Sequence, residues 1–180
     1  CEIGGSSGKG NAIYGNGAGG EFDAGLLLFE GDTNRVVANV IGSDERAQPD
    51  KGNNGWGILI RDSSAAQIGQ AGLAAGNEVV NNGLGGILLS GAAATGNRIQ
   101  ANFIGVDRRS TPGIGNKGPG IRIDTTAAGN LIGGEGLVIL PPAGGSETIE
   151  RGAGTVLKFP APNTIAGNQG ELNPGLWVNG

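Results

Sequence analysis

The chain has 180 residues with a formal net charge of −4, and it holds 39 glycines, 4% aromatics and neither histidine nor methionine. Its length suits one domain with a sizeable core, while the glycine content excludes long helices, where each glycine costs about 1 kcal/mol against alanine. Lys and Arg are scattered, which leaves no basic footprint for nucleic acid; no apolar run approaches the roughly 18 residues of a membrane span; and a single Cys excludes an internal disulfide.

Short β-prone stretches then recur in a fixed order along the chain. The first cycle holds a stretch at Ile3, "NAI" from Asn11 and "GLLLF" from Gly25. The second holds Val36, "NVI" from Asn39 and "GILI" from Gly57; the third Ile68, "NEV" from Asn77 and "GILLS" from Gly86. The fourth holds Ile99, "NFI" from Asn102 and "GIRI" from Gly120, and the fifth Ile132, "NTI" from Asn163 and "GLWV" from Gly175. Ile3, Val36, Ile68, Ile99 and Ile132 follow one another at spacings of 33, 32, 31 and 33. Each stretch alternates with period 2 and is bounded by turn residues, which predicts strands. Three strands per cycle describe a coil with three faces, and stacked coils pair equivalent strands in parallel about 4.8 Å apart. The fold expected is all-β: a parallel β-helix of about five coils, filling residues 1–180 as one domain, with inward aliphatics stacked in columns. One segment, 135–162, breaks the period. Its "LVIL" and "TVLKF" runs predict a projecting hairpin, serving as a lid over outward residues, an arm for a neighbouring subunit, or a plain surface loop.

Asn11, Asn39, Asn77, Asn102 and Asn163 each stand two residues before an inward aliphatic. Stacking superposes them, so their amides are expected to form a hydrogen-bonded ladder or to cap the bends. With "GNRIQANFIGVDRRSTPGIGNKGPGIRIDTTAAGNLIGG" on view, the chain resembles the right-handed parallel β-helix repeat proteins of the pectate-lyase-like superfamily. It is most similar to the Gly/Asn-rich repeats of large secreted or surface bacterial proteins. The resemblance implies a right-handed solenoid and an extracellular or cell-surface setting. It implies no single function, because that scaffold carries lyases, hydrolases, epimerases, adhesins and stalks.

Candidate chemistry is sparse. Lack of histidine closes any imidazole mechanism. Glu30 and Asp62, each two residues past an inward aliphatic and with Arg61 adjacent, form the one pairing of acids expected on neighbouring coils; Gly91 and Thr125 end the series. Turn capping and an acid or calcium site are the two readings of that pair. Asp44 and Asp107, in "IGSD" and "IGVD", read as turn formers. No catalytic residue, metal or cofactor is therefore expected. The outward column of the first face reads Leu27, Leu59, Leu88, Arg122 and Trp177. Its apolar members predict an interaction stripe, either covered by the chain's own loop or in contact with another molecule, with Trp56 and Trp177 as alternatives for sugar stacking. Neither end shows a capping helix, and Cys1 admits a lipid anchor. The function expected is a structural or adhesive solenoid module, partnered by copies of itself or further repeats of a longer chain; the alternative is a carbohydrate-binding or lyase-like module acting on surface glycans.

Overall fold

The computed structural model describes residues 1–5, 10–44, 48, 50–70, 75–124 and 126–133, with the backbone of strands 164–165 and 176–178. Three parallel sheets run along the stack, each taking one strand from every cycle. The first sheet holds β1 (Glu2–Gly4), β4 (Arg35–Val37), β7 (Gln67–Ile68), β10 (Arg98–Ile99) and β13 (Leu131–Ile132). The second holds β2 (Ala12–Ile13), β5 (Val40–Ile41), β8 (Glu78–Val79), β11 (Phe103–Ile104) and β14 (Thr164–Ile165). The third holds β3 (Ala24–Phe29), β6 (Trp56–Arg61), β9 (Gly85–Ser90), β12 (Ile121–Ile123) and β15 (Leu176–Val178). The molecule is thus a parallel β-solenoid.

Register follows the repeat. Ile3 pairs with Val36, Val36 with Ile68, Ile68 with Ile99 and Ile99 with Ile132. In the second sheet Ile13, Ile41, Val79, Ile104 and Ile165 align in the same way. The described aliphatics of these columns, with Leu28, Ile58, Ile60, Ile87, Leu89, Ile121 and Ile123 of the third sheet, make one core down the axis. Within that core Ile3, Ile13 and Leu26, which belong to the first cycle, are only partly buried.

The corners explain where the turn residues fall. Tight corners put a left-handed residue immediately before an asparagine: Ala38 (φ 59°) before Asn39, Asn81 (φ 58°) before Asn82 and Ala101 (φ 56°) before Asn102. Where a longer connection follows a strand, glycine takes positive φ directly after the inward aliphatic, as at Gly42 (φ 95°) and Gly105 (φ 78°). At Gly42 a side chain is excluded twice over, since a Cβ there would lie 1.7 Å from the Val80 carbonyl oxygen.

The third sheet departs from simple alternation. A Cβ on Gly57 would lie 2.4 Å from Val79 Cγ1, so this position faces the interior next to Ile58, itself in the core. Two successive inward positions turn Trp56 to the outside, where its ring lies over Gly85. There Trp56, Leu59 and Leu88 form a second, outer hydrophobic cluster, with Ala24 and Leu84 packed against it. The predicted insertion 135–162, Asn163, Thr125 and the side chain of Trp177 lie outside the described residues.

Candidate functional site

Asparagine is the residue type this fold places most consistently, and it stands in three axial columns. In the first, Asn11 donates its backbone N–H and Nδ2 to Asn39 Oδ1, both at 3.0 Å. Asn39 repeats this onto Asn77 Oδ1 at 3.0 and 3.1 Å, and Asn77 onto Asn102 Oδ1 at 3.1 and 2.8 Å. The spare amide proton turns sideways to a strand carbonyl: Asn39 to Ile3 and Val37, Asn77 to Val36, Asn102 to Ile68 and Gln100. Every step has one polarity, in which each coil donates to the amide oxygen of the next coil along the sequence. Asn39, Asn77 and Asn102 are buried, so these bonds form away from water, where an unmade one costs most.

Two further columns were not singled out from the sequence. Asn16 donates its backbone N–H and Nδ2 to Asn53 Oδ1, Asn53 Nδ2 bonds to Asn82 Oδ1 at 2.8 Å, and Asn82 donates both groups to Asn116 Oδ1. Asn97 donates twice to Asn130 Oδ1 at 2.9 Å and receives the Ala66 N–H at 2.8 Å. Ala66 stands where the cycle would place another asparagine, so this third column is interrupted. The sequence carried both signals. Asn53, Asn82 and Asn116 each lie five residues before the inward Ile58, Ile87 and Ile121, while Asn97 and Asn130 lie two before Ile99 and Ile132.

The acids act on turns. Asp62 Oδ1 accepts the Ala93 N–H at 3.3 Å, and its carboxylate occupies the space a side chain at Gly91 would need. Asp62 therefore caps the next coil's bend, and both Glu30 (φ 50°) and Asp62 (φ 48°) hold left-handed corner positions. Arg61 lies over Phe22 at 4.3 Å and Phe29 at 5.8 Å from the ring centres. Asp107 is buried and closes a turn, accepting the N–H of Thr111 at 2.8 Å and of Arg109 at 3.1 Å, and the Thr111 hydroxyl at 2.7 Å. Burial acts to raise its pKa, but the two Thr111 bonds, the Arg109 N–H and the Arg109 charge outweigh it, and the carboxyl sits below its ordinary value. Asp44 accepts the Gln48 N–H at 3.5 Å. Asp23, partly buried, is also held low, first by the Gly20 N–H and then by that of Ala18. Among the described residues no three His, Cys, Asp or Glu side chains gather as a metal site, and no helix is long and apolar enough to cross a membrane.

The outward column needs correction as an exposed stripe. Leu59 is 0% exposed and Leu88 1%, both within the outer Trp56 cluster, and Leu27 alone of the described three is open, at 50%. Leu59 and Leu88 do face outward, and the chain itself covers them, because the paired inward positions Gly57 and Ile58 send Trp56 outward onto that surface. Trp56 itself is buried and donates Nε1 to the Glu21 carbonyl at 3.2 Å, so it offers no free face for a sugar. What stays open is the first coil: Leu27 and Phe29 of β3, with Phe22 and Tyr14 nearby in sequence, are the large exposed apolar residues described. A separate polar cleft of about 380 Å³ lies at the corner between the second and third sheets, lined by Asp50, Asn54, Asn81 and Lys117 around several glycines.

Comparison with protein-family models, curated proteins and solved structures gives no match.

Proposed function

We propose that this chain is a structural β-solenoid module of an extracellular or cell-surface protein, a stalk or adhesive unit whose task is to hold a rigid repeating shape. The observation supporting this is the use of its polar side chains. Ten buried or edge asparagines in the three columns bond coil to coil, and Asp23, Asp62 and Asp107 accept backbone N–H groups in turns. Catalysis needs the opposite arrangement, with polar groups aimed at a space where a substrate can sit. The resemblance to Gly/Asn-rich surface repeats agrees with this reading.

The test pairs activity with stability. The purified chain, offered uronic-acid polymers such as pectate and alginate, is expected to turn over none while unfolding in one cooperative transition. Turnover that disappears in Glu30→Ala or Asp62→Ala would replace the structural reading with an enzymatic one. A second reading, carbohydrate binding, draws on the polar cleft: Asp50, Asn54, Asn81 and Lys117 offer the mixed donors and acceptors that sugar hydroxyls use. Saturable glycan binding abolished by Lys117→Ala would favour it.

A further inference from the structure

We propose that Asn54 is a site of self-modification: the backbone nitrogen of Gly55 attacks its carboxamide, and the residue converts to aspartate and isoaspartate as the protein ages. The inference concerns the chemistry of the chain itself, so it stands or falls separately from the structural reading above.

Three Asn-Gly pairs lie among the described residues: Asn16 with Gly17, Asn54 with Gly55 and Asn82 with Gly83. Glycine after asparagine leaves the next amide nitrogen unshielded by a Cβ and its backbone free to turn. The fold treats the three pairs differently. Asn82 is buried; its Nδ2 donates to Ile41 O and Asn116 Oδ1, and its Oδ1 accepts from Asn53 Nδ2. The Gly83 N–H donates to Asn53 O at 2.8 Å, so carboxamide and nitrogen are both held. Asn16 Nδ2 donates to Asn53 Oδ1 and Tyr14 O, each at 3.0 Å, and turning that carboxamide toward Gly17 breaks two bonds. Asn54 stands beside the second column, not in it. It is exposed, and one bond holds its carboxamide, from Nδ2 to Gly17 O at 2.7 Å. Among the described residues the Gly55 N–H has no acceptor. Asn54 therefore joins an unengaged nitrogen to the least restrained carboxamide of the three.

The step is an intramolecular acyl substitution. The Gly55 nitrogen forms a bond to Asn54 Cγ, the Cγ–Nδ2 bond breaks, and Nδ2 leaves as ammonia with the proton that the Gly55 nitrogen gives up. Water then opens the cyclic imide. Attack at Cγ restores the ordinary backbone as aspartate, and attack at the Asn54 carbonyl carbon leaves the chain running through Cγ as isoaspartate. The second product lengthens the main chain at a corner with no slack. Asn54 N–H donates to Asn16 O and Trp56 N–H to Asp23 O, both at 2.8 Å, while Leu84 N–H reaches Gly55 O at 3.1 Å. Gly55 packs so closely that a Cβ there would lie 2.1 Å from Asp23 O. An extra main-chain atom between Asn54 and Trp56 breaks this set of bonds and displaces Trp56 from the outer cluster it forms with Leu59 and Leu88. Ageing at this one residue thus loosens the second coil against its neighbours.

The experiment ages the folded chain in warm, mildly alkaline buffer and maps it by trypsin digestion and mass spectrometry. Asn16, Asn54 and Asn82 fall in different tryptic peptides, with Asn54 in residues 52–61. Electron-transfer fragmentation separates isoaspartate from aspartate and Asn54 from Asn53. Conversion at Asn54 is expected to lead that at Asn16 several-fold with Asn82 unchanged, whereas the three convert at similar rates in urea-unfolded chain. The aged protein is expected to unfold at a lower urea concentration than fresh protein. Asn54→Gln, whose longer side chain cyclises far more slowly, is expected to hold its midpoint over the same period. Folded protein that keeps Asn54 while the unfolded chain loses it, conversion at Asn16 or Asn82 level with Asn54, or a fresh midpoint in protein carrying isoaspartate in place of Asn54 would each overturn the proposal.

Discussion

Replacing Asn77 by alanine tests the columns at their most buried point. Its side chain is 0% exposed and makes four bonds: Oδ1 accepts the Asn39 N–H and Nδ2–H, and Nδ2 donates to Asn102 Oδ1 and Val36 O. Not all partners are stranded by its loss. Val36 O keeps the Gly69 N–H at 2.7 Å, Asn102 Oδ1 keeps the Asn77 backbone N–H, and Asn39 Nδ2 keeps two carbonyls. The Asn39 backbone N–H loses the amide oxygen it donates to. One stranded buried donor costs about 1–3 kcal/mol, and the void left by the carboxamide adds to it, so a loss of about 2–4 kcal/mol is expected. With a urea slope near 2 kcal/mol/M, the unfolding midpoint should fall by about 1–2 M. Urea titration read by tryptophan fluorescence gives this shift directly. Asn11→Ala is the internal comparison: Asn11 is exposed at the column's end, and its backbone N–H still satisfies Asn39 Oδ1, so its cost should stay below about 1 kcal/mol. Asn77→Asp sharpens the test. The carboxylate still accepts from Asn39 but faces Val36 O and Asn102 Oδ1 with no proton to donate. Its pKa in the fold is therefore raised, and the variant should lose more stability at neutral pH than in acid. A midpoint for Asn77→Ala within about 0.3 M of wild type would refute the reasoning.

Three other outcomes follow from particular contacts. Gly42→Ala should prevent folding, because its Cβ would lie 1.7 Å from Val80 O, whereas Gly15→Ala, with φ 70° and open space, should cost only the left-handed strain of about 1–2 kcal/mol; thermal melts of both check this. Leu59→Lys should destabilise by about 3 kcal/mol or more, since it forces a charge into the outer cluster, while Leu27→Lys in the same outward column should be nearly neutral; equal denaturation midpoints would contradict the burial pattern. Asp107 has a depressed folded pKa, so its contribution is complete above the ordinary value of 3.8 and is lost as the pH falls from there through the folded pKa. Asp107→Ala should lower stability at pH 7 and flatten that acid limb in urea titrations across pH.

How much of this was legible in the sequence can be judged residue by residue. Strand positions and inward columns were readable because a solenoid repeats each environment at nearly constant spacing, so Ile3, Val36, Ile68, Ile99 and Ile132 announce themselves together. The asparagines of the first column stood out through their fixed offset to an inward aliphatic. Those of the second column share an offset as regular, five residues, but sit among connections of unequal length, and Asn16 lies ten before Leu26, which hides the match. Ala66 hides the third by interrupting it. Cover of Leu59 and Leu88 by the chain itself was one of two readings, but Trp56 as the cover was hidden for a different reason: strict alternation assumes that each residue flips face, and the inward pair Gly57–Ile58 does not. Glycine in that frame was the available sign, because a position with no room for a Cβ lies against packed side chains rather than in solvent.

The most direct test of the account is hydrogen exchange at the asparagine side chains, resolved by NMR on labelled protein. If the columns hold the coils together, the Nδ2 protons of Asn39, Asn77, Asn82 and Asn97, all buried and bonded to the next coil, should exchange only when the stack opens, many orders of magnitude slower than a free amide, with Asn11 and Asn16 much faster. Side-chain amides of Asn39, Asn77, Asn82 and Asn97 that all exchange at the free rate, in a protein whose backbone amides are protected, would contradict it.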